Sequence, residues 1–177
     1  MPVFARTKLM IHEDCLVPGT AFLTLNYSGP NPQELYTKIK EIFFTVFKHE
    51  AGELQEREFS WDRSGGKERF KVRFDLTKDM DTFTFVQMLV DLDGEAQPSR
   101  QFGKEGTAKI QIEGRLRTEY PQDTLWQRSL FYEMFRVFYH KVIYEETRRR
   151  YKDQCRDWCM KFQEELKAFL NILPKAR

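Results

Sequence analysis

The side chains best suited to chemistry in this chain include three histidines, which lie far apart in the sequence. His12, His49 and His140 share no helix or strand face by spacing, so a metal site or a catalytic triad would have to be assembled by folding alone. His140 follows Tyr139 in an aromatic stretch, and a histidine side chain titrates near neutrality. The pattern favours a surface or boundary histidine over a catalytic one.

The three cysteines form a second reactive group. Cys15, Cys155 and Cys159 are an odd number in a chain long enough to build its own core, which argues against a disulfide framework. Cys155 and Cys159 are four residues apart, a spacing at which a helix can present both thiols to a metal ion. No histidine or second cysteine pair lies nearby, and Trp158 between them favours a buried or partner-facing stripe. We therefore expect no metal site.

The remaining motifs point to no reaction. The carboxylate pairs Glu145-Glu146 and Glu164-Glu165 fall on predicted helix surfaces, where charges usually serve solvation and pairing along the helix. Gly65 and Gly66 precede a lysine but lack the spacing and the strand-to-helix transition of a phosphate-binding loop. We expect a protein without a cofactor, and an enzyme ranks behind a binding module and an interaction module because no acid, base or nucleophile can be identified.

Composition limits the class of protein further. The 177 residues are 41% hydrophobic and 15% aromatic, and they carry 29 Lys and Arg against 27 Asp and Glu. This balance excludes a disordered tail and removes the simplest reason to expect a nucleic-acid partner. Charges interrupt every apolar run in the first twenty residues, and no stretch approaches the ~20 apolar residues of a membrane span. We expect a cytoplasmic protein without a transmembrane segment.

Periodicity gives the order of the elements that must position these side chains. Alternation predicts a strand over 20–27, and a helix follows with Asn31 as its N-cap and an end near residue 48. Gly114 is expected to mark a bulge or a bend in the last strand. Four later strands are predicted over 53–62, 67–76, 82–92 and 108–117, with a polar loop over 93–106.

The C-terminal third is predicted to be helical. One straight helix over 123–171 would be roughly 74 Å long, whereas a globule of this length has a radius of gyration of about 16 Å. The helix must therefore break or project, and we expect the break at 147–150, where apolar residues are fewest. A broad apolar surface precedes this point and a narrower stripe with nearly heptad spacing, which continues to Leu173, follows it.

This element order predicts an α+β fold with an antiparallel sheet of about five strands packed against a long C-terminal helix. The order, the helix start Asn31-Pro32-Gln33-Glu34-Leu35-Tyr36 and the aromatic C-terminal helix resemble the helix-grip fold of the START and Bet v 1-like (SRPBCC) superfamily over about residues 20–144. That superfamily commonly has two short helices after the first strand and six strands after them. The chain departs from this pattern with one longer helix and about four later strands.

The resemblance implies a module that holds a hydrophobic small molecule or lipid between the sheet and the last helix. Its lining would come from Phe70, Val72, Phe74, Phe83, Phe85, Ile110 and Ile112 on the sheet and from Phe131, Phe135, Phe138 and Val142 on the helix. The same side chains would also make an ordinary packed core.

A second hypothesis, independent of any family, concerns the distal helix. Residues 1–147 would form the α+β domain, and residues 148–177 a helical extension that either folds back or oligomerises. Its apolar stripe would then be covered by the domain itself, by a second copy or by another protein. The stripe comprises Tyr151, Cys155, Trp158, Phe162, Leu166 and Phe169.

A basic cluster lies at the start of this extension. Arg148, Arg149, Arg150, Lys152 and Arg156 are interleaved with Tyr151 and Trp158, a composition that can contact nucleic-acid phosphates or an anionic membrane. The alternative is a solvated helix face paired with neighbouring carboxylates, and the sequence favours that alternative.

Overall fold

The computed structural model describes residues 8–16, 22–50, 52–101, 103–122 and 124–172 of the 177. The predicted strand start at 20–21, the predicted helix start at Asp123 and the stripe residue Leu173 lie outside the described residues. None of the helices in the described ranges is both long and apolar enough to span a membrane.

Within the described residues, six strands form one antiparallel sheet, which confirms the α+β class and corrects the predicted number of about five strands. The sheet order is β1-β6-β5-β4-β3, and β2 also pairs with β6, beyond the stretch that pairs with β1. The strands are β1 (Lys8–Asp14), β2 (Leu23–Pro30), β3 (Leu54–Asp62), β4 (Glu68–Asp79), β5 (Thr84–Ser99) and β6 (Gly103–Pro121).

Three α-helices complete the fold, which is consistent with the helix-grip arrangement. The first, α1 (Glu34–Phe47), joins β2 to β3, and it starts at Glu34 without a side-chain cap from Asn31. The C-terminal region contains α2 (Leu130–Phe138), a π-helical turn (Tyr139–Ile143) and α3 (Glu145–Ile172). The break therefore lies at 139–144, before the predicted 147–150.

The polar segment 93–106 was predicted as a loop, but most of it belongs to a long β-hairpin. β5 and β6 stay paired out to Ser99 and Gly103, and the turn is confined to the residues between them. The core-side face of this outer hairpin carries the small residues Gly94, Ala96 and Gly106, so the segment lacks the alternation of large apolar residues that identifies a half-buried strand.

One face of the sheet carries the core. Phe74 on β4 is opposite Val90 on β5, which in turn is opposite Ile112 on β6, so these side chains share a face. Helices α1 and α3 cover that face, and Phe43 of α1 lies 6.0 Å from the Phe74 ring and 4.7 Å from the Phe162 ring of α3. Ring centroids at these distances show interlocked aromatic packing.

The three cysteines meet where α3 crosses β6. Cys15 and Cys155 form a disulfide, contrary to the expectation of free thiols, and Cys159 is a buried free thiol. A Cβ at position 114 would clash with the Cys159 sulfur and lie 3.5 Å from the Cys155 sulfur. Gly114 thus permits close approach of the helix, and it marks no bulge, because the β5–β6 register is regular across it. Sequence counting failed here because an odd number of cysteines does not exclude one long-range bridge.

Candidate interaction surface

Towards the Pro121 end of β6, the core-side face of the sheet changes from apolar to polar. Ile110, Ile112 and Leu116 give way to Thr118 and Tyr120, which are buried on the same face. Thr84 of β5 is opposite Thr118, and their hydroxyls lie 3.1 Å apart. An element that covers this end of the sheet must therefore bring polar partners.

Helix α2 and the π turn supply those partners from their inward side. Arg136 and His140 are four residues apart on one helix face, and both are buried although they are polar. The Arg136 guanidinium lies 5.5 Å from the centroid of the Tyr120 ring, in a cation–π arrangement, and it also pairs with Glu133. The side of α2 that faces the protein is thus its polar side.

His140 is the centre of a buried hydrogen-bond chain. Arg148 Nη1 donates to His140 Nε2 at 3.2 Å and to Glu13 Oε1 at 2.6 Å. Because arginine can only donate, Nε2 accepts and the ring proton sits on Nδ1, which donates to the Tyr120 hydroxyl 2.9 Å away. Burial, and next the charge of Arg148, lower the pKa of His140. The imidazole is therefore held neutral, and burial raises the pKa of Tyr120 to about 12.

Tyr144, at the junction with α3, makes a second polar contact with the same end of the sheet. Its hydroxyl donates to Asp81 and lies 2.6 Å from the hydroxyl of Thr84. Burial and the hydrogen bond to Asp81 raise the pKa of Tyr144. These contacts fix where α2 ends and α3 begins.

The outward side of the same segment is apolar. From residue 130 to residue 143 the exposed residues are apolar except Lys141, and the partly exposed Glu133 carboxylate is paired with Arg136. Leu125 and Trp126, in the turn before α2, extend the surface. We call this surface the α2 face; it comprises Leu125, Trp126, Leu130, Phe131, Met134, Phe135, Val137, Phe138, Val142 and Ile143.

The α2 face exposes more apolar area than an ordinary patch on the surface of a monomer. Its four aromatic side chains are 53% to 74% exposed. At roughly 200 Å² for each ring, they alone leave about 500 Å² of apolar surface in water. The largest apolar patch on a typical monomer is about 300–600 Å² in total. With six further aliphatic side chains, the α2 face is larger than an ordinary surface and is typical of a docking site.

The structure separates the two halves of the predicted ligand lining. Phe131, Phe135 and Phe138 lie on the α2 face, turned away from the sheet, because α3 packs on the apolar sheet face in place of α2. Val142, in the π turn, is exposed with them. On the sheet, Phe70, Val72, Phe74, Ile110 and Ile112 are almost fully buried in the core.

Two further lining residues lie away from that core. Phe85 is five residues from Val90 on β5 and so points to the opposite face of the sheet. Phe83 stacks on Tyr120 with their ring centroids 5.7 Å apart, at the polar end of the sheet. The structure therefore does not bring the predicted lining together as one site.

The stripe on the distal helix packs against its own domain. Cys155, Phe162 and Leu166 are fully buried, and Trp158 lies 5.3 Å from the Phe47 ring of α1. Tyr151 and Phe169 are partly buried beside the same core. Helix α3 folds back on α1 and β6, so this stripe is not an open surface.

Much of the basic cluster is paired within the chain, in part with Glu13 of β1 rather than with carboxylates of the same helix. Arg148 and Lys152 share Glu13, and Arg149 pairs with Glu145. Arg150 reaches Thr147. In the described residues, no group of three or more His, Cys, Asp or Glu is arranged to hold a metal ion.

Sequence reasoning missed the network under α2, although the sequence contained a signal for it. Arg136, His140 and Tyr144 recur at four-residue steps within an otherwise apolar stretch. Such spacing places them on one helix face, opposite the broad apolar surface. The prediction assumed that the apolar face of a helix turns inward, and it therefore gave the polar stripe no role.

Comparisons with known proteins assign no family. No protein-family model matches the chain, and no curated protein matches it. One solved structure to which the chain is similar is the protein of unknown function SA2116 from Staphylococcus aureus. The two share 13% identity with a TM-score of 0.24, over 90% of this chain and 98% of that one. A score this low supports no inference.

Proposed function

We propose that this protein is a non-catalytic docking module that attaches to the surface of a lipid membrane through the α2 face. The observation that carries the proposal is the orientation of α2, whose polar side packs on the protein and whose apolar side faces out. A helix that serves only its own core has the opposite orientation.

The chemistry of the α2 face favours lipid over a protein partner. Protein interfaces contain about one hydrogen bond for every 100–200 Å². In 130–143 the exposed polar groups are Lys141 and the Glu133 carboxylate, and Glu133 is already paired with Arg136. Lipid tails neither donate nor accept hydrogen bonds, so a purely apolar face loses nothing on entering them. Lys141 can extend its ammonium group to the headgroup level while its methylene chain stays among the apolar residues.

The energetics are sufficient for reversible attachment. Helix α2 is already folded and fixed to the sheet, so docking need not order it. Burial of about 500 Å² of aromatic surface is worth on the order of 10 kcal/mol before the cost of immobilising the protein. An amphipathic helix of this kind lies in the plane of the interface, with its apolar side about 5–10 Å deep.

An apolar ligand between sheet and helix, membership of the SRPBCC superfamily and a cytoplasmic location remain hypotheses. The disulfide between Cys15 and Cys155 is more typical of an oxidising compartment. Self-association remains a prediction too, but the surface available for it is the α2 face rather than the distal stripe.

The test is co-sedimentation with phosphatidylcholine vesicles, with Phe135→Asp compared with Phe44→Asp. Phe44 is an equally exposed ring on α1, away from the α2 face, and therefore serves as the matched control. We expect the wild type and Phe44→Asp to bind vesicles, and Phe135→Asp to lose at least tenfold in affinity.

Light scattering without lipid tests the alternative that a second copy of the chain covers the α2 face. A wild-type dimer that Phe135→Asp converts to a monomer, together with no vesicle binding, would assign the face to a second copy and refute membrane docking. Vesicle binding that Phe135→Asp leaves unchanged would also refute it.

A further inference from the structure

A cleft lined mostly by polar and charged side chains lies beside the α2 face. It has a volume of about 490 Å³ and is lined by Ile11, His140, Lys141, Glu145 and Arg148. Two of its lining residues, His140 and Lys141, belong to the π turn that also carries Val142 of the α2 face. A molecule at the edge of the α2 face can therefore reach the cleft.

We propose that this cleft binds the phosphate group of an anionic phospholipid while the α2 face holds the acyl chains. The inference rests on the proposed membrane docking and names the headgroup chemistry that such docking would prefer. The donors are the Lys141 ammonium and the part of the Arg148 guanidinium that is not engaged by the protein.

Arg148 has donors left for such a group. Its Nη1 serves both Glu13 and His140, whereas Nη2 has no acceptor in the described part of the chain. The Nε atom is buried without an acceptor among the described residues. Because Nε is buried, Nη2 is the guanidinium nitrogen left to donate to a phosphate oxygen. His140 keeps the guanidinium in place by accepting from Nη1, and so acts as a positioning residue.

The charges around the cleft leave it cationic. Glu145 is paired with Arg149, and Glu13 is shared by Arg148 and Lys152. Lys141 is exposed and makes no ion pair within the described residues. The carboxylates near the cleft are therefore occupied, and positive charge remains for an anion.

The π turn explains why Lys141 stands at the rim. The Tyr144 amide donates to the Tyr139 carbonyl at 2.8 Å, a bond that spans five residues in place of four. The extra residue in the turn allows His140 to remain buried while Lys141 and Val142 are both exposed. Cation and apolar anchor are thus adjacent, which matches the boundary between headgroups and acyl chains.

The experiment compares vesicles of phosphatidylcholine alone with vesicles that also contain phosphatidylglycerol, at one ionic strength. We expect the wild type to prefer the anionic vesicles, and Lys141→Gln to reduce that preference by about fivefold, the effect of one lysine near an anionic surface. Lys161→Gln, which removes an exposed lysine from α3, is the matched control and should leave the preference unchanged. Binding to neutral vesicles should be the same for all three proteins.

The outcomes separate the two proposals. Equal binding of the wild type to both vesicles, or the same loss of preference in Lys141→Gln and Lys161→Gln, refutes the headgroup site and leaves docking intact. No binding to any vesicle refutes both. A melting temperature raised by inorganic phosphate in the wild type but not in Lys141→Gln, without a preference for anionic vesicles, would place a free anion in the cleft and overturn the lipid assignment.

Discussion

Helices α2 and α3 are consecutive, separated by one π turn and Tyr144, yet they present opposite faces to the same sheet. α3 directs its apolar stripe inward, and Phe162 is fully buried against Phe43. α2 directs Arg136 inward and leaves Phe131 and Phe135 in water. The difference shows that amphipathicity defines two sides of a helix but does not decide which side meets the protein.

The region of the sheet against which a helix packs determines which side of that helix faces inward. α3 crosses the sheet where Gly114 and its apolar neighbours on β6 offer a close-packed site. α2 and the π turn meet the end of the sheet where Thr118 and Tyr120 require hydrogen-bonding or cationic partners. A polar stripe is the only side of α2 that can satisfy them, so its apolar side must face out.

The strongest test of this comparison replaces one phenylalanine in each helix. Phe162→Ala should lower the free energy of unfolding by about 3–5 kcal/mol, because it leaves a cavity in the core. Phe135→Ala should change it by less than about 0.5 kcal/mol, because that ring is exposed. Urea denaturation followed by circular dichroism measures both. Equal losses would mean that α2 also covers a core.

A second test removes the covalent attachment that α3 has and that the described part of α2 lacks. Cys155→Ser should destabilise the protein by about 2–5 kcal/mol, since the Cys15–Cys155 bond closes a loop between residues 140 positions apart. Reduction of the wild type should give a similar loss, and Cys159→Ser serves as the cysteine control without a bridge. An unchanged urea midpoint after reduction would contradict the bridge.

The polar side of α2 should make stability depend on pH. The pKa of His140 is lowered from its ordinary value of 6.5, so below that pH the unfolded chain binds a proton that the native ring resists. The contribution of His140 to the free energy of unfolding is fully present above about pH 6.5. It is lost as the pH falls towards the pKa of His140 in the native protein. The groups around the ring are Tyr120, Arg136, Lys141, Arg148 and Glu13.

His140→Gln provides the comparison for this effect. Glutamine can accept from Arg148 and donate to Tyr120 but does not titrate, so the difference in urea midpoint between wild type and variant should change with pH between about 7 and 5. Parallel profiles would show that His140 is not held neutral.

The smallest effect concerns thiol access on the two helices. Burial raises the pKa of Cys159 to about 12, so at pH 8 its thiol is almost entirely protonated and unreactive. Iodoacetamide should modify it only after unfolding. Met134→Cys places a thiol on the exposed α2 face, and iodoacetamide should modify this thiol at the rate of a solvent-exposed cysteine. Mass spectrometry of labelled peptides reads both rates.

Much of the fold could be predicted from local pattern. The apolar stripe of α1 and the alternation of β4 identified both elements within about three residues, because one face of each is dry and the other wet. The outer β5–β6 hairpin could not be found this way, since its core-side face has glycine and alanine in place of large apolar residues. Nor could the Cys15–Cys155 contact, which joins residues that only the tertiary fold brings together.

The sequence located the apolar surface of α2 but predicted the opposite orientation for it. Phe131, Phe135 and Phe138 were selected correctly as the members of one apolar surface, but that surface faces outward. Its direction depends on Thr118 and Tyr120, and nothing in the sequence indicated that this end of β6 would lie beneath α2.

The junction at Tyr144 also has a geometric consequence. This side chain is buried and held by Asp81 of the β4–β5 turn and Thr84 of β5, and helix lies on either side of it. Helix α2 therefore cannot rotate relative to the rest of the domain. In the proposed docking, a membrane that binds α2 fixes the orientation of the whole domain. The outer β5–β6 hairpin would then lie at a fixed distance and angle from the membrane surface, and all docked copies would share one orientation.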